Sequence, residues 1–366
     1  MDSNVKLYEV SNLSEYISLL KELKANVGFF RGESSFYPER IASAFRPFKN
    51  KFPLFNFEEI VFMFYREVYS KITENDKSHF MAFAQHHWIP TNLIDITYNP
   101  LSALWFACDG GNADDFGCVY CFDDNYIDIT EFVEEKFVGF DLLHNLFKVP
   151  DDGKLISSQR DLLLCLITNP QFYINYRKVL NNVKKAILTG EQGKTSPDVY
   201  YVYQESEIRE IEELLCEMEA LEIKNIDPNK SNLVTNDEVY LFQQIHRLFP
   251  ITVFTMLYGI VPNLLYNPIL SFERAVKQSG CFLYQAYKYH SFPMVNTIND
   301  GTLQKINVFS IIKINNKPDI IAELDGIGIN RKTIYADFDN IAKYIVDRFK
   351  EGYSEMKCCS TESENP

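Results

Sequence analysis

Arg31 followed by Gly32 closes an apolar run, Val27-Gly28-Phe29-Phe30. A guanidinium at the end of a buried strand can hold a phosphate or carboxylate bidentately. The glycine lets the backbone turn sharply or lets a ligand approach closely. A second group of polar residues is packed between Met81 and Asp109, where Gln85, His86, His87, Thr91, Asp95 and Asn99 interrupt apolar runs that must be buried. Histidine titrates near neutral pH, so His86 could work as an acid or base, or could only cap carbonyls at a helix end. Asp95 sits within Leu93-Ile94-Asp95-Ile96, and a carboxylate in a core must be paired or hydrogen-bonded. A buried Arg31–Asp95 ion pair is therefore the alternative to a ligand site. Gln278 precedes a later strand; its amide can orient a hydroxyl but cannot act as a base. These polar groups predict one site, with Arg31, His86 and Asp95 as its chemistry, Gln278 as a further candidate, and Arg31, Gly32, Gln85, Thr91 and Asn99 as its binding groups.

The elements that must position these groups follow from periodicity and caps. Ser11 or Asn12 caps a helix with apolar Leu13, Tyr16, Ile17, Leu20 and Leu23. Val27 to Glu33 is a strand, and Phe57 to Ile72 is an amphipathic helix. Phe80 to His86 ends a helix, Ile89-Pro90-Thr91 forces an extended exit, and Leu93 to Ile96 is a buried strand. Asn99-Pro100 starts a helix, with Asn as N-cap and Pro at the first position. That helix, Leu101 to Cys108, is apolar on nearly every face and so belongs in the core. Gly117 to Asp123, Cys281 to Tyr287 and Val308 to Ile314 are further strands. Lys317 to Leu324 and Asp337 to Lys350 are helices. The sum is an α+β fold: a small mixed or antiparallel sheet with buried helices, interrupted by a helical insertion at 124–231. Within the insertion Glu205 to Ile223 is amphipathic. The core resumes at 232–350 with a capping box at Thr235 to Glu238 opening a helix to Phe249, and a tail from Glu351 to residue 366 is expected to be unstructured.

Composition narrows the function classes. The 366 residues carry a formal net charge of -14 and are 46% hydrophobic, with 29 Phe and 22 Tyr. This describes a globular chain, and it argues against broad, non-specific binding to nucleic acid, which needs a basic surface. The eight cysteines lie mostly in apolar runs and no secretory leader is apparent, so reduced thiols in the cytoplasm are expected. Cys118-Val-Tyr-Cys121 has CxxC spacing, but no second pair or nearby histidines complete a zinc site, and no metal is expected. Leu248 to Phe272 carries no charge and is long enough to span a membrane, yet its prolines and asparagines break it into a buried helix and a loop. No membrane association is expected, and no phosphate-cradling or nucleophile-elbow motif is present.

Four motifs in order resemble the FRG domain family. They are Phe30-Arg31-Gly32; Ala84 to Thr97 with Asn99 to Ala107; Arg274 to Phe282, similar to an R-x-x-x-Q-x-G-x-F motif; and Ile311 to Ala342, with Gly328-Ile329, Thr333 and Ala336-Asp337. Trp88 stands where the family usually has Gly, Asn92 where it has Arg, and Ile96 where it has Trp. The resemblance assigns 1–123 and 232–350 to the two parts of the core. It implies a pocket more firmly than a reaction, in a bacterial or phage-defence setting. Arg31-Gly32 is also similar to the strand-borne arginine-glycine of ADP-ribosyltransferases, where the arginine helps seat NAD, and Gln278 stands near where those enzymes carry a late glutamate. Two functions stay open: a pocket for a nucleotide such as NAD with ADP-ribosyl transfer or NAD cleavage, and a non-catalytic module that senses a ligand or a protein partner.

Overall fold

A computed structural model describes residues 5–23, 26–38, 40–46, 57–110, 116–134, 169, 261–270, 276–287 and 303–361. Eight strands form one mixed sheet: β1 (Lys6–Val10), β2 (Phe29–Glu33), β3 (Leu93–Thr97), β4 (Gly117–Phe122), β5 (Tyr126–Asp128), β6 (Asn263–Tyr266), β7 (Gly280–Tyr284) and β8 (Ser310–Ile314). Their spatial order is β1-β8-β4-β2-β3-β7-β6-β5. The pairs at the two edges, β1 with β8 and β5 with β6, are parallel. Every pairing between them is antiparallel.

The helices are α1 (Leu13–Leu23), α2 (Phe57–Val68), α3 (Glu74–Ser78), α4 (Phe80–His86), α5 (Pro100–Cys108), α6 (Thr130–Glu134), α7 (Lys317–Gly326), α8 (Arg331–Tyr335) and α9 (Phe338–Thr361). Alternation along the strands feeds two cores. One gathers Val119, Cys121, Ile312 and Ile314 with residues of α1, α5, α7 and α8. The other gathers Cys118, Tyr120, Phe122 and Ile311 with residues of α2 and α4. Helix α5 starts as the sequence predicts, Asn99 Oδ1 accepting from Leu101 N and Ser102 N. It then lies directly on β2 and β4. A Cβ on Gly32 would stand 1.7 Å from the Ala103 carbonyl oxygen, and one on Gly117 would stand 2.0 Å from that of Ala107. Only glycine admits the helix so close.

The α+β class is as expected, and the differences lie mainly in the extent of the sheet. It has eight strands, not a few, because the short edge strands β1, β5 and β6 give weak local signals. Strand β6 falls in the uncharged stretch 248–272, where a buried helix and loop were expected. Strand β5 falls in the first residues of the expected insertion and pairs with β6. The last helix runs on to Thr361, into the residues expected to be an unstructured tail; its sequence has no proline before Pro366. The expected helices at 205–223 and 235–249, with the rest of the insertion, lie outside the described residues. Among the described residues no helix is long and apolar enough to cross a membrane.

Candidate functional site

Strand β2 pairs with β4 over five residue pairs and β3 pairs with β7 over five, yet β2 and β3 meet only at Phe30 and Thr97. Beyond that pair the two central strands part. A cavity of about 400 Å³ lies at the gap, lined by residues of both strands, of α4 and of the segment before β7. The structure brings Arg31, Gly32, Gln85, His86, Asp95 and Gln278 to its wall, six of the eight residues singled out from sequence. Thr91 and Asn99 are not among the lining residues.

Arg31 bridges the parted strands. Its Nε donates to Glu33 Oε1 at 2.7 Å and its Nη1 to the Asp95 backbone carbonyl at 2.7 Å. Nη2 has no hydrogen-bond partner among the described residues. The Arg31 and Glu33 side chains are only 15% and 11% exposed, so this is a largely buried pair. The expected buried pair with Asp95 is not found: the Asp95 side chain is 68% exposed and its nearest oxygen is 3.9 Å from Arg31. Burial was inferred from the flanking Leu93, Ile94 and Ile96, which are buried, whereas the gap between β2 and β3 opens Asp95 to solvent. Glu33, which sequence reasoning passed over, is the arginine's anchor. Its signal was strand periodicity, since residues two apart on a strand share a face.

A second arginine also went unread. Arg46 lines the cavity from the loop 40–46, where it caps a single 3₁₀ turn, Ser43–Phe45, that no periodicity in the sequence marks. Its Nε donates to the Ile41 carbonyl at 2.9 Å. The residue is exposed as a whole, but the packing around its head, followed by the like charge of Arg31, lowers its pKa from the ordinary value. Buried Gln285 holds this loop, accepting from Ala42 N at 2.8 Å and donating to the Arg40 and Gln304 carbonyls.

The remaining groups are held from behind. Thr91 donates its hydroxyl to Gln85 Oε1, and its backbone bonds to Ser43 Oγ and Ala44 N, so it ties α4 to the Arg46 loop. Gln278 donates its side-chain amide to the Ile334 carbonyl at 3.2 Å, and its own carbonyl accepts from Thr97 Oγ1 at 2.6 Å. His86 ends α4, its ring 5.1 Å from that of His87. Asn99 spends its side-chain oxygen on the α5 cap, and Gly32 is explained by the approach of α5. Cys118 and Cys121 face the two different cores, so the CxxC spacing does not converge on one point.

Neither a curated protein nor a solved structure matches the chain. One family model does, over residues 26–115, which contain β2, α4, β3 and α5 and so most of the cavity wall. The later motifs around Gln278 and Thr333 lie outside that match. The model that matches is the FRG domain, so residues 26–115 are similar to that domain.

Proposed function

We propose that the cavity binds a nucleotide, with NAD the leading candidate, and that the protein transfers ADP-ribose or cleaves NAD. The observation that carries this is the pair of guanidinium groups, Arg31 and Arg46, brought to one cavity wall in a chain of net charge -14, with Nη2 of Arg31 unspent. Guanidinium forks match phosphate oxygens in charge and shape. Exposed Asp95 stands on the same wall as an acceptor for a ribose hydroxyl or a developing positive charge, and Gln278 and Gln85 supply neutral polar groups. The setting is cytoplasmic and of the bacterial or phage-defence kind that the FRG resemblance implies.

The test is incubation of the purified full chain with NAD, following nicotinamide release and labelling of the protein by ADP-ribose. Turnover or labelling is expected, and it should be lost in Asp95→Asn. Binding seen by thermal shift without turnover would favour a sensing module, which the amide at position 278 supports, since no second carboxylate reaches the cavity wall among the described residues. Neither binding nor turnover would sink both.

A further inference from the structure

Two amides on the cavity wall, Gln85 and Gln278, are each fixed in one direction by a partner behind them. Gln278 donates through Nε2 to the Ile334 carbonyl at 3.2 Å. A backbone carbonyl can only accept, so this amide cannot be turned over, and Oε1 is what it has left. Gln85 is fixed the other way. The Thr91 hydroxyl accepts from Leu93 N at 3.2 Å and directs its own hydrogen to Gln85 Oε1, which leaves Nε2. Neither Gln85 Nε2 nor Gln278 Oε1 has a hydrogen-bond partner among the described residues, and neither is sealed from solvent. The two amides belong to opposite ends of β3. Thr91, just before the strand, bonds to Gln85 and to Ser43 in the loop that carries Arg46. Thr97, its last residue, bonds to the Gln278 carbonyl. Between them Nη1 of Arg31 meets the Asp95 carbonyl.

We propose that the cavity is polarised along β3: Gln85 joins Arg31 and Arg46 as a third donor of an anion site, and Gln278 accepts from a hydroxyl or amine of the same ligand. The inference rests on the nucleotide-binding reading above and deepens it by assigning an orientation, with phosphate toward Thr91 and sugar or base toward Thr97. An amide donor strengthens an anion site without adding to the like-charge repulsion that Arg31 already exerts on Arg46. Thr91, which is absent from the wall, is a positioning residue that acts through Gln85. Inorganic phosphates satisfy only the donor end, whereas a nucleotide satisfies both.

The test compares ADP with inorganic pyrophosphate on the full chain by calorimetry, with melting temperatures alongside. ADP is expected to bind the native protein more tightly than pyrophosphate does. Gln85→Glu keeps an oxygen for Thr91 but replaces the cavity donor by a carboxylate oxygen. Both probes should then bind at least about ten-fold more weakly, the scale of one hydrogen bond to a charged group. Gln278→Met keeps the length of the side chain and removes its acceptor, so ADP should fall to the affinity of pyrophosphate, which itself should not change. Thr91→Val frees the Gln85 amide to turn over and should weaken both probes, whereas Thr91→Ser keeps the hydroxyl and should not. In Gln85→Glu the two oxygens are equivalent, so adding Thr91→Val should weaken binding no further while still lowering the melting temperature; a merely structural Thr91 would weaken binding alike in both backgrounds. If ADP binds no better than pyrophosphate, if Gln85→Glu leaves both unchanged, or if Gln278→Met weakens both equally, the polarity is overturned while an anion-binding cavity stands. If neither probe binds, both proposals fall together.

Discussion

Arg31 makes two kinds of contact, and they can be separated. Its Nε holds Glu33 and its Nη1 holds a carbonyl of the opposite strand, so lysine, with one nitrogen, keeps the charge but cannot make both bonds. Arg31→Lys is expected to fold with a small loss of melting temperature and to lose ADP affinity by about ten-fold, the scale of one charge-assisted hydrogen bond from the Nη2 that lysine cannot place. Arg31→Ala leaves the Glu33 carboxylate buried without its cation, which costs on the order of 3 to 5 kcal/mol. Arg31→Ala with Glu33→Ala should recover part of that stability and none of the binding. Denaturant melts and ADP titration of the four proteins check this; full affinity in Arg31→Lys would make the arginine purely structural. The arginine itself was legible because a charge at the end of an apolar strand is conspicuous. Its partner was not, because Asp95 among three buried apolar neighbours and Glu33 at a strand's last position suggest opposite burials from the ones observed.

At the scale of elements, α5 is seated directly on β2, the strand that carries Arg31 to the cavity wall. The helix was legible, since a segment apolar on nearly every face has nowhere to go but the core. The function of Gly32 was not, because close approach by a ligand and close approach by a helix leave the same single residue in the sequence. The structure separates them: Gly32→Ala would drive a methyl into the Ala103 carbonyl, and backbone cannot step aside as a side chain can. A loss above about 4 kcal/mol, or failure to fold, is expected in a chemical melt. A stable Gly32→Ala protein that had lost only ligand binding would return the glycine to a binding role. On the other face the loop carrying Arg46 depends on Gln285, whose three hydrogen bonds are all to backbone groups. Gln285→Leu should cost about 1 to 3 kcal/mol, from buried backbone groups left without partners. Because the loop loosens, ADP affinity should fall although residue 285 is absent from the cavity wall. No local pattern in the sequence marks that loop, since its order comes from Gln285, just past β7 and more than two hundred residues away.

Across the whole molecule, the sheet joins segments far apart in the chain, β1 beside β8 and β5 beside β6. Such pairings were illegible because register between distant strands leaves no local periodicity. The fill of the two cores was legible, and it carries a pH dependence. Burial raises the pKa of the Cys108, Cys121 and Cys281 thiols from the ordinary 9.0 to about 12, and that of Cys118 to about 11. These groups sit in both cores, so no single element can open to ionise them all. In the folded state they stay protonated where the unfolded chain has begun to lose its protons. Their contribution is therefore fully present below pH 9 and is lost as pH climbs toward about 12. Each thiol ionised only on unfolding steepens the fall by up to about 1.4 kcal/mol per pH unit. Urea melts at pH 8, 9.5 and 10.5 should show stability dropping progressively, and substituting Cys121 by Ala should shallow the slope. At pH 8 the same four thiols should resist a disulfide reagent until the chain is denatured, because the reactive thiolate is absent. Rapid labelling of these four in the native state, or a stability flat from pH 8 to 10.5, would mean that the cores around β4 are open to water and that the tight seating of α5 on the sheet is wrong.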